Sequence, residues 1–161
     1  MSLVKGAYCL LIASYQGVFA VRDPFGFRPL VLGKKENSYI CASETCALDL
    51  IGAKFVREIK PGEIVFLGKN NLCTSWFPAK PLPQKHFCSF EPIYFARPDS
   101  KYRSSSFYDI RQKMGEILAQ EAPIKADLVI PVPDSGVALA LGFARKAKIP
   151  FEFALVRNHY V

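Results

Sequence analysis

The chain has 161 residues, half of them hydrophobic, with 21 lysines and arginines against 14 acidic residues and a formal charge of +7. That balance belongs to a packed globular protein rather than a disordered one, and the length suits one domain or parts of two. No apolar run approaches the ~18 residues of a membrane helix, and the basic residues stand singly instead of forming an aromatic-interleaved face, so neither a membrane nor a nucleic acid is the expected partner.

The first elements in chain order are strands. Met1-Ser2-Leu3-Val4-Lys5 has neither an apolar signal core nor a small-residue cleavage site, and a cytoplasmic address is the default. Residues 7–14 and 18–22 are β-prone apolar runs separated by Gln16-Gly17, a hairpin turn. Asp23-Pro24-Phe25-Gly26 stops the second run, and residues 29–32 form a third strand ending at Gly33. More strands are predicted over 39–42, 55–59, 63–67 and 72–77, with a short helix over 44–51 capped by Ser43. Arg22-Asp23-Pro24 and Arg28-Pro29 place charges beside a turn and read as structural ties.

Pro78, Pro81 and Pro83 then favour an extended connection. The predicted organisation is residues 1–77, a Pro-rich linker over 78–87, and a second region over 88–161. In that region Phe107, Ile110, Met114, Ile117 and Leu118 share one face of a helix over 106–121, which Pro123 ends. Residues 127–133 read as a buried strand, Asp134-Ser135-Gly136 as a turn, 137–148 as a helix and 151–156 as a strand. That order is the start of a parallel crossover unit.

The sharpest chemical signal is Pro131-Val132-Pro133-Asp134-Ser135-Gly136, which joins a strand end to a helix N-terminus, where free N–H groups and the helix dipole favour an anion. Gly136 lets backbone approach a phosphate, Ser135 offers a hydroxyl and Asp134 a carboxylate; on spacing alone, Asp134 or Ser135 as a plain helix cap is the favoured reading. Phe95-Ala96-Arg97-Pro98-Asp99-Ser100 follows a strand-like run over 92–95 and sets an arginine and an aspartate beside a rigid turn, either to grip an anion or to pin the loop. His86 and His159 have no metal-ligand spacing. Cys9, Cys41, Cys46, Cys73 and Cys88 form no Cys-x-x-Cys pair and read as free thiols, Cys88 standing in the more polar context.

Several motifs in order carry a resemblance: Gly6-Ala7-Tyr8, Val21-Arg22-Asp23-Pro24, Gly26-Phe27-Arg28-Pro29-Leu30, Ala42-Ser43-Glu44-Thr45, Lys60-Pro61-Gly62-Glu63, Tyr94-Phe95-Ala96-Arg97-Pro98-Asp99-Ser100 and Val132-Pro133-Asp134-Ser135-Gly136. Together they resemble the amidophosphoribosyltransferase family almost end to end. The resemblance implies an α+β chain: the later part of an N-terminal-nucleophile glutaminase domain, then the first part of a type I phosphoribosyltransferase α/β domain. It also implies the reaction, in which ammonia from glutamine meets phosphoribosyl pyrophosphate to give 5-phosphoribosylamine in purine synthesis.

Carried over residue by residue, the resemblance makes Asp134, Ser135 and Gly136 the pyrophosphate loop, with Ser135 near magnesium and Tyr160 a further substrate contact. Tyr94, Phe95, Arg97 and Asp99 would line the route of ammonia between domains. Cys88 matches one ligand of the 4Fe-4S cluster found in part of the family. The family's nucleophilic cysteine has no counterpart here, so no catalytic residue is assigned, the stretch is expected to be inactive alone, and a homo-oligomeric parent is expected. His159 stands where arginine is usual. A truncated paralogue acting as a phosphate-binding or regulatory module is the alternative, and a nucleic-acid binder the third reading.

Overall fold

The computed structural model describes residues 4–79, 84–158 and 160. The expectations for residues 1–3, the central part of the proline connection and His159 lie outside them. The chain divides into two compact units, Met1–Glu91 and Pro92–Val161.

In the first unit, β1 (Cys9–Ala13) and β2 (Gly17–Arg22) form a hairpin in which Ser14 and Gly17 exchange both backbone hydrogen bonds. The loop is therefore Tyr15-Gln16, one residue earlier than Gln16-Gly17. Gly17 is instead required inside β2, since a Cβ there would run into the Leu67 carbonyl on the neighbouring strand. β3 (Val31–Lys35), β4 (Ser38–Ala42) and β5 (Lys54–Glu58) follow, then β6 (Ile64–Gly68) and β7 (Cys73–Trp76). They make two antiparallel sheets, β1-β2-β6-β7 and β4-β3-β5. Ala20, Leu30, Leu32, Ile59 and Val65 form the principal core cluster, with Cys9, Cys41 and Cys73 packed against it as small apolar side chains. Burial pushes the Cys41 thiol up to about 11, which suits a packing role.

The helix α1 (Thr45–Leu50) packs Leu48 against Val31 and Ala53. Gly33, placed at a strand end by its sequence, lies inside β3 at a register shift, where its missing Cβ makes room for the Leu48 methyls. Ser43 does not cap α1: the cap position is Glu44, in extended backbone and without a side-chain cap bond.

Buried charges hold the strand ends. The Asp23 carboxylate, with no exposed surface, accepts from the N–H groups of Phe25, Gly26 and Phe27 at 2.8–3.1 Å. Arg22 donates to the carbonyls of Gly26, Arg28 and Ile59. These are the structural ties expected of that turn. Glu63 takes a fork of two bonds from Arg57, at 2.7 and 2.8 Å, and the Lys60 N–H at 2.7 Å.

In the second unit, residues 92–95 are not extended. Their β-prone composition gives way to a π-helical turn, Glu91–Phe95, bracketed by bonds from the Arg111 side chain to the carbonyls of Pro92 and Ala96. β8 (Lys101–Tyr102) and β9 (Ser105–Ser106) make a small hairpin leading into α2 (Phe107–Glu121). Ser106 and Asp109 form a reciprocal capping box.

The buried stripe of α2 is Phe107, Arg111, Gly115 and Ala119, not the expected face of large apolar residues; Ile117 and Leu118 remain exposed. Close helix crossing is the cause. A Cβ on Gly115 would strike the Leu139 carbonyl of α3 (Gly136–Ala147), and one on Gly142 would strike the Gln112 carbonyl. Only small residues permit that approach. α3 ends at Lys148 in the left-handed conformation.

The expected flanking strands reduce to one parallel bridge, Val129 with Phe151, closed by Val129 N–H to Pro150 O and Glu152 N–H to Val129 O. Pro131 and Pro133 lack the N–H groups a longer ladder needs, so the parallel sense is kept and the length is lost. No helix among the described residues is long and apolar enough to cross a membrane.

Candidate functional site

The turn before α3 is the first candidate. Its Pro133–Asp134 peptide is cis, Gly136 donates to Val132 O at 3.1 Å, and Val137 donates to Asp134 O at 3.4 Å. Ser135 occupies the cap position with helical backbone angles and makes no side-chain cap bond. The cap reading of this turn is thus not what the geometry shows. Nor does packing explain Gly136: its φ is not left-handed, and an added Cβ would meet no more than Val132 Cβ at 4.0 Å. A glycine that neither backbone nor neighbours demand leaves open space over the start of a twelve-residue helix.

Arg157 adds a cation there, its Nη1 lying 3.2 Å from Asp134 Oδ2. Both side chains are well exposed, so the pair is weak and exchangeable. The sequence reading gave Arg157 no role; its signal is visible only when residues 151–157 return beside the turn. Tyr160 donates its backbone N–H to the Asn158 side chain and is almost wholly exposed, so the structure does not bring it to Asp134, Ser135 and Gly136.

The second candidate is the segment from Tyr94 to Ser100. Arg97 forks onto Asp99, Nε to Oδ1 at 3.0 Å and Nη2 to Oδ2 at 2.8 Å, and this holds the Asp99 carboxyl below the usual range. Of the two readings of this pair, pinning the loop is the one the contacts express. Tyr94 and Phe95 are exposed and meet edge to face at 5.9 Å.

Just before this segment, Cys88 gives its N–H to Phe27 O, and His86 gives its own to Phe25 O. Glu91 is buried against Arg28 Nε at 3.1 Å; burial raises its carboxyl above the usual range, partly offset by Arg28. Among the described residues no group of three or more His, Cys, Asp or Glu is arranged to hold a metal ion, and Cys88 is a half-buried free thiol. Asp134 and the Ser135 hydroxyl are oxygen donors of the kind magnesium takes, with phosphate oxygens and waters completing such a shell.

No family model matches the chain. Against curated proteins it is 49% identical over 159 residues to the chloroplastic amidophosphoribosyltransferase of Glycine max, covering 98% of this chain and 28% of that protein. It is 45% identical over 163 residues to the amidophosphoribosyltransferase of Rhizobium etli, covering 98% and 32%. Two solved structures superpose on 99% of it and 34% of their own chains at 39% identity: the allosteric regulatory enzyme of purine biosynthesis, TM-score 0.93, and the glutamine phosphoribosylpyrophosphate amidotransferase of B. subtilis complexed with ADP and GMP, TM-score 0.92.

By their names these relatives and solved structures are amidophosphoribosyltransferases and enzymes of purine biosynthesis, and the antiparallel sheets plus helices are as expected. More particularly, the resemblance read from the motifs holds: nearly the whole chain corresponds to a stretch of amidophosphoribosyltransferase. It spans about a third of the length of the curated relatives it matches.

Proposed function

We propose that the chain serves the transfer of ammonia from glutamine to phosphoribosyl pyrophosphate, and that its share of the reaction is the pyrophosphate loop together with part of the ammonia route. The observation that carries this is the turn 133–136, where Ser135 is not spent on capping and Gly136 is not required by packing. In the reaction ammonia attacks the ribosyl carbon and pyrophosphate departs, so negative charge grows on the leaving group. Backbone N–H groups and the positive end of the α3 dipole, aimed at that charge, lower the barrier more than they bind the ground state.

Ser135 would donate to a phosphate oxygen, and Arg157 would leave its weak pair with Asp134 for the stronger charge of the ligand. Magnesium, held by oxygens at Asp134 and Ser135, would supply charge neutralisation on the pyrophosphate. Tyr160 is retained as a contact made once ligand is present. Tyr94, Phe95, Arg97 and Asp99 are read as the segment of the ammonia route: Tyr94 and Phe95 offer the apolar surface that uncharged ammonia needs, and the Arg97–Asp99 fork pins the loop that follows them. The first unit is read as glutaminase and the second as transferase, in a homo-oligomer with a cytoplasmic address; the chloroplast address belongs to the named soybean relative.

Magnesium pyrophosphate added to the isotopically labelled chain tests the loop directly. Amide resonances of Ser135, Gly136 and Val137 are expected to move together; shifts confined to other basic surfaces would refute the assignment.

A further inference from the structure

A guanidinium has five N–H donors and is costly to bury unless they are used. Arg111 is 2% exposed, in the middle of the α2 stripe otherwise filled by Phe107, Gly115 and Ala119. Its Nε donates to Pro92 O at 2.7 Å and its Nη2 to Ala96 O at 2.6 Å. These carbonyls lie on either side of Ile93, Tyr94 and Phe95, in and just after the π-helical turn. Both bonds are short and charge-assisted; one takes a carbonyl within the turn and the other the carbonyl just after it, and a turn of this kind is rare and marginal by itself.

The rest of the segment is tied to the same helix. Phe107 N–H donates to Ser100 O at 2.9 Å and Tyr108 N–H to Pro98 O at 2.8 Å. Ala96 and Ser100 are buried, yet Tyr94 is 62% and Phe95 49% exposed. Apolar rings held this far outward gain little from folding by being there. The hydrogen bonds to Pro92 and Ala96 are what fix the backbone between them, and hence the aim of the rings.

We propose that Arg111 is a positioning residue: it sets the π-helical turn so that Tyr94 and Phe95 form a wall for uncharged ammonia. This rests on the reading of that segment as the ammonia route. Lysine cannot replace it, because one ammonium does not match two carbonyls fixed by a planar fork.

Two measurements test it. In the chain itself, Arg111→Met and Arg111→Lys are expected to speed amide exchange at residues 93–96 by about tenfold or more relative to the α2 and α3 amides. Exchange that rises evenly across the second unit would mean that Arg111 supports stability alone, and would overturn the proposal. In the intact amidophosphoribosyltransferase carrying this stretch, Arg111→Met is expected to cut the glutamine-dependent rate by about tenfold or more while the rate with added ammonia changes little. Tyr94→Ala separates the two claims. If Tyr94→Ala uncouples the rates and Arg111→Met does not, the positioning proposal fails; if neither uncouples them, the route reading fails and takes the proposal with it.

Discussion

Glu63 shows how one buried carboxylate sets a pH dependence. Its pKa reflects burial, which raises it, against the Arg57 fork and the Lys60 N–H, which lower it, and the lowering wins. A folded pKa below the unfolded one adds stability at neutral pH, and that stability is lost as pH falls through the folded value. Glu63→Gln is therefore expected to destabilise the first unit by about 3 kcal/mol at pH 7 in urea unfolding, the gap to the unsubstituted chain closing below roughly pH 4.3. Glycines make the complementary case. Gly142→Ala forces a Cβ into the Gln112 carbonyl and is expected to cost about 1–3 kcal/mol or more, read as a drop in melting temperature, whereas Gly136→Ala has room and leaves melting nearly unchanged while weakening pyrophosphate binding. The roles of Arg22 and Asp23 were legible from their place at a turn, because short polar runs between strands must satisfy their own backbone. Arg111 was not legible, since nothing local marks an arginine whose partners lie fifteen and nineteen residues away.

At the scale of elements, strands were read well where alternation and turn residues agreed, and the errors have tertiary causes. Gln16-Gly17 carries a turn composition, yet Gly17 is reserved for the close approach of β6. Large apolar residues on α2 suggested its buried face, but the helix crossing admits only small ones, and periodicity cannot see the neighbour that imposes this. The aromatic run before Ala96 looked like a strand because propensity is a weak prior against two charge-assisted bonds from one guanidinium. Capping was no easier: the cap expected of Ser43 is absent, and the box that Ser106 and Asp109 form, local as it is, was not read from the sequence. Ser106→Ala is expected to lower stability by about 1 kcal/mol, measured by denaturant unfolding with a probe in the second unit. Ser135→Ala, by contrast, removes no cap bond and should leave that transition in place.

For the whole molecule, the motifs were legible in order because each sits in a turn or helix start where few residue types serve, while their assembly into a site was only partly so. Asp134, Ser135 and Gly136 follow one another in sequence and could be read together; Arg157 reaches them only through the parallel return at Phe151. The edge strand β1 leaves Leu10, Leu11 and Ile12 exposed, so light scattering is expected to show association that grows with concentration and is reduced by Leu11→Lys. The most direct test of the central claim is calorimetric titration of magnesium phosphoribosyl pyrophosphate into the chain, with Ser135→Ala beside it. Weak, saturable binding that the substitution abolishes without a change in melting temperature is the predicted result; binding of equal strength in both proteins, or none in either, would contradict a working pyrophosphate loop at residues 134–136.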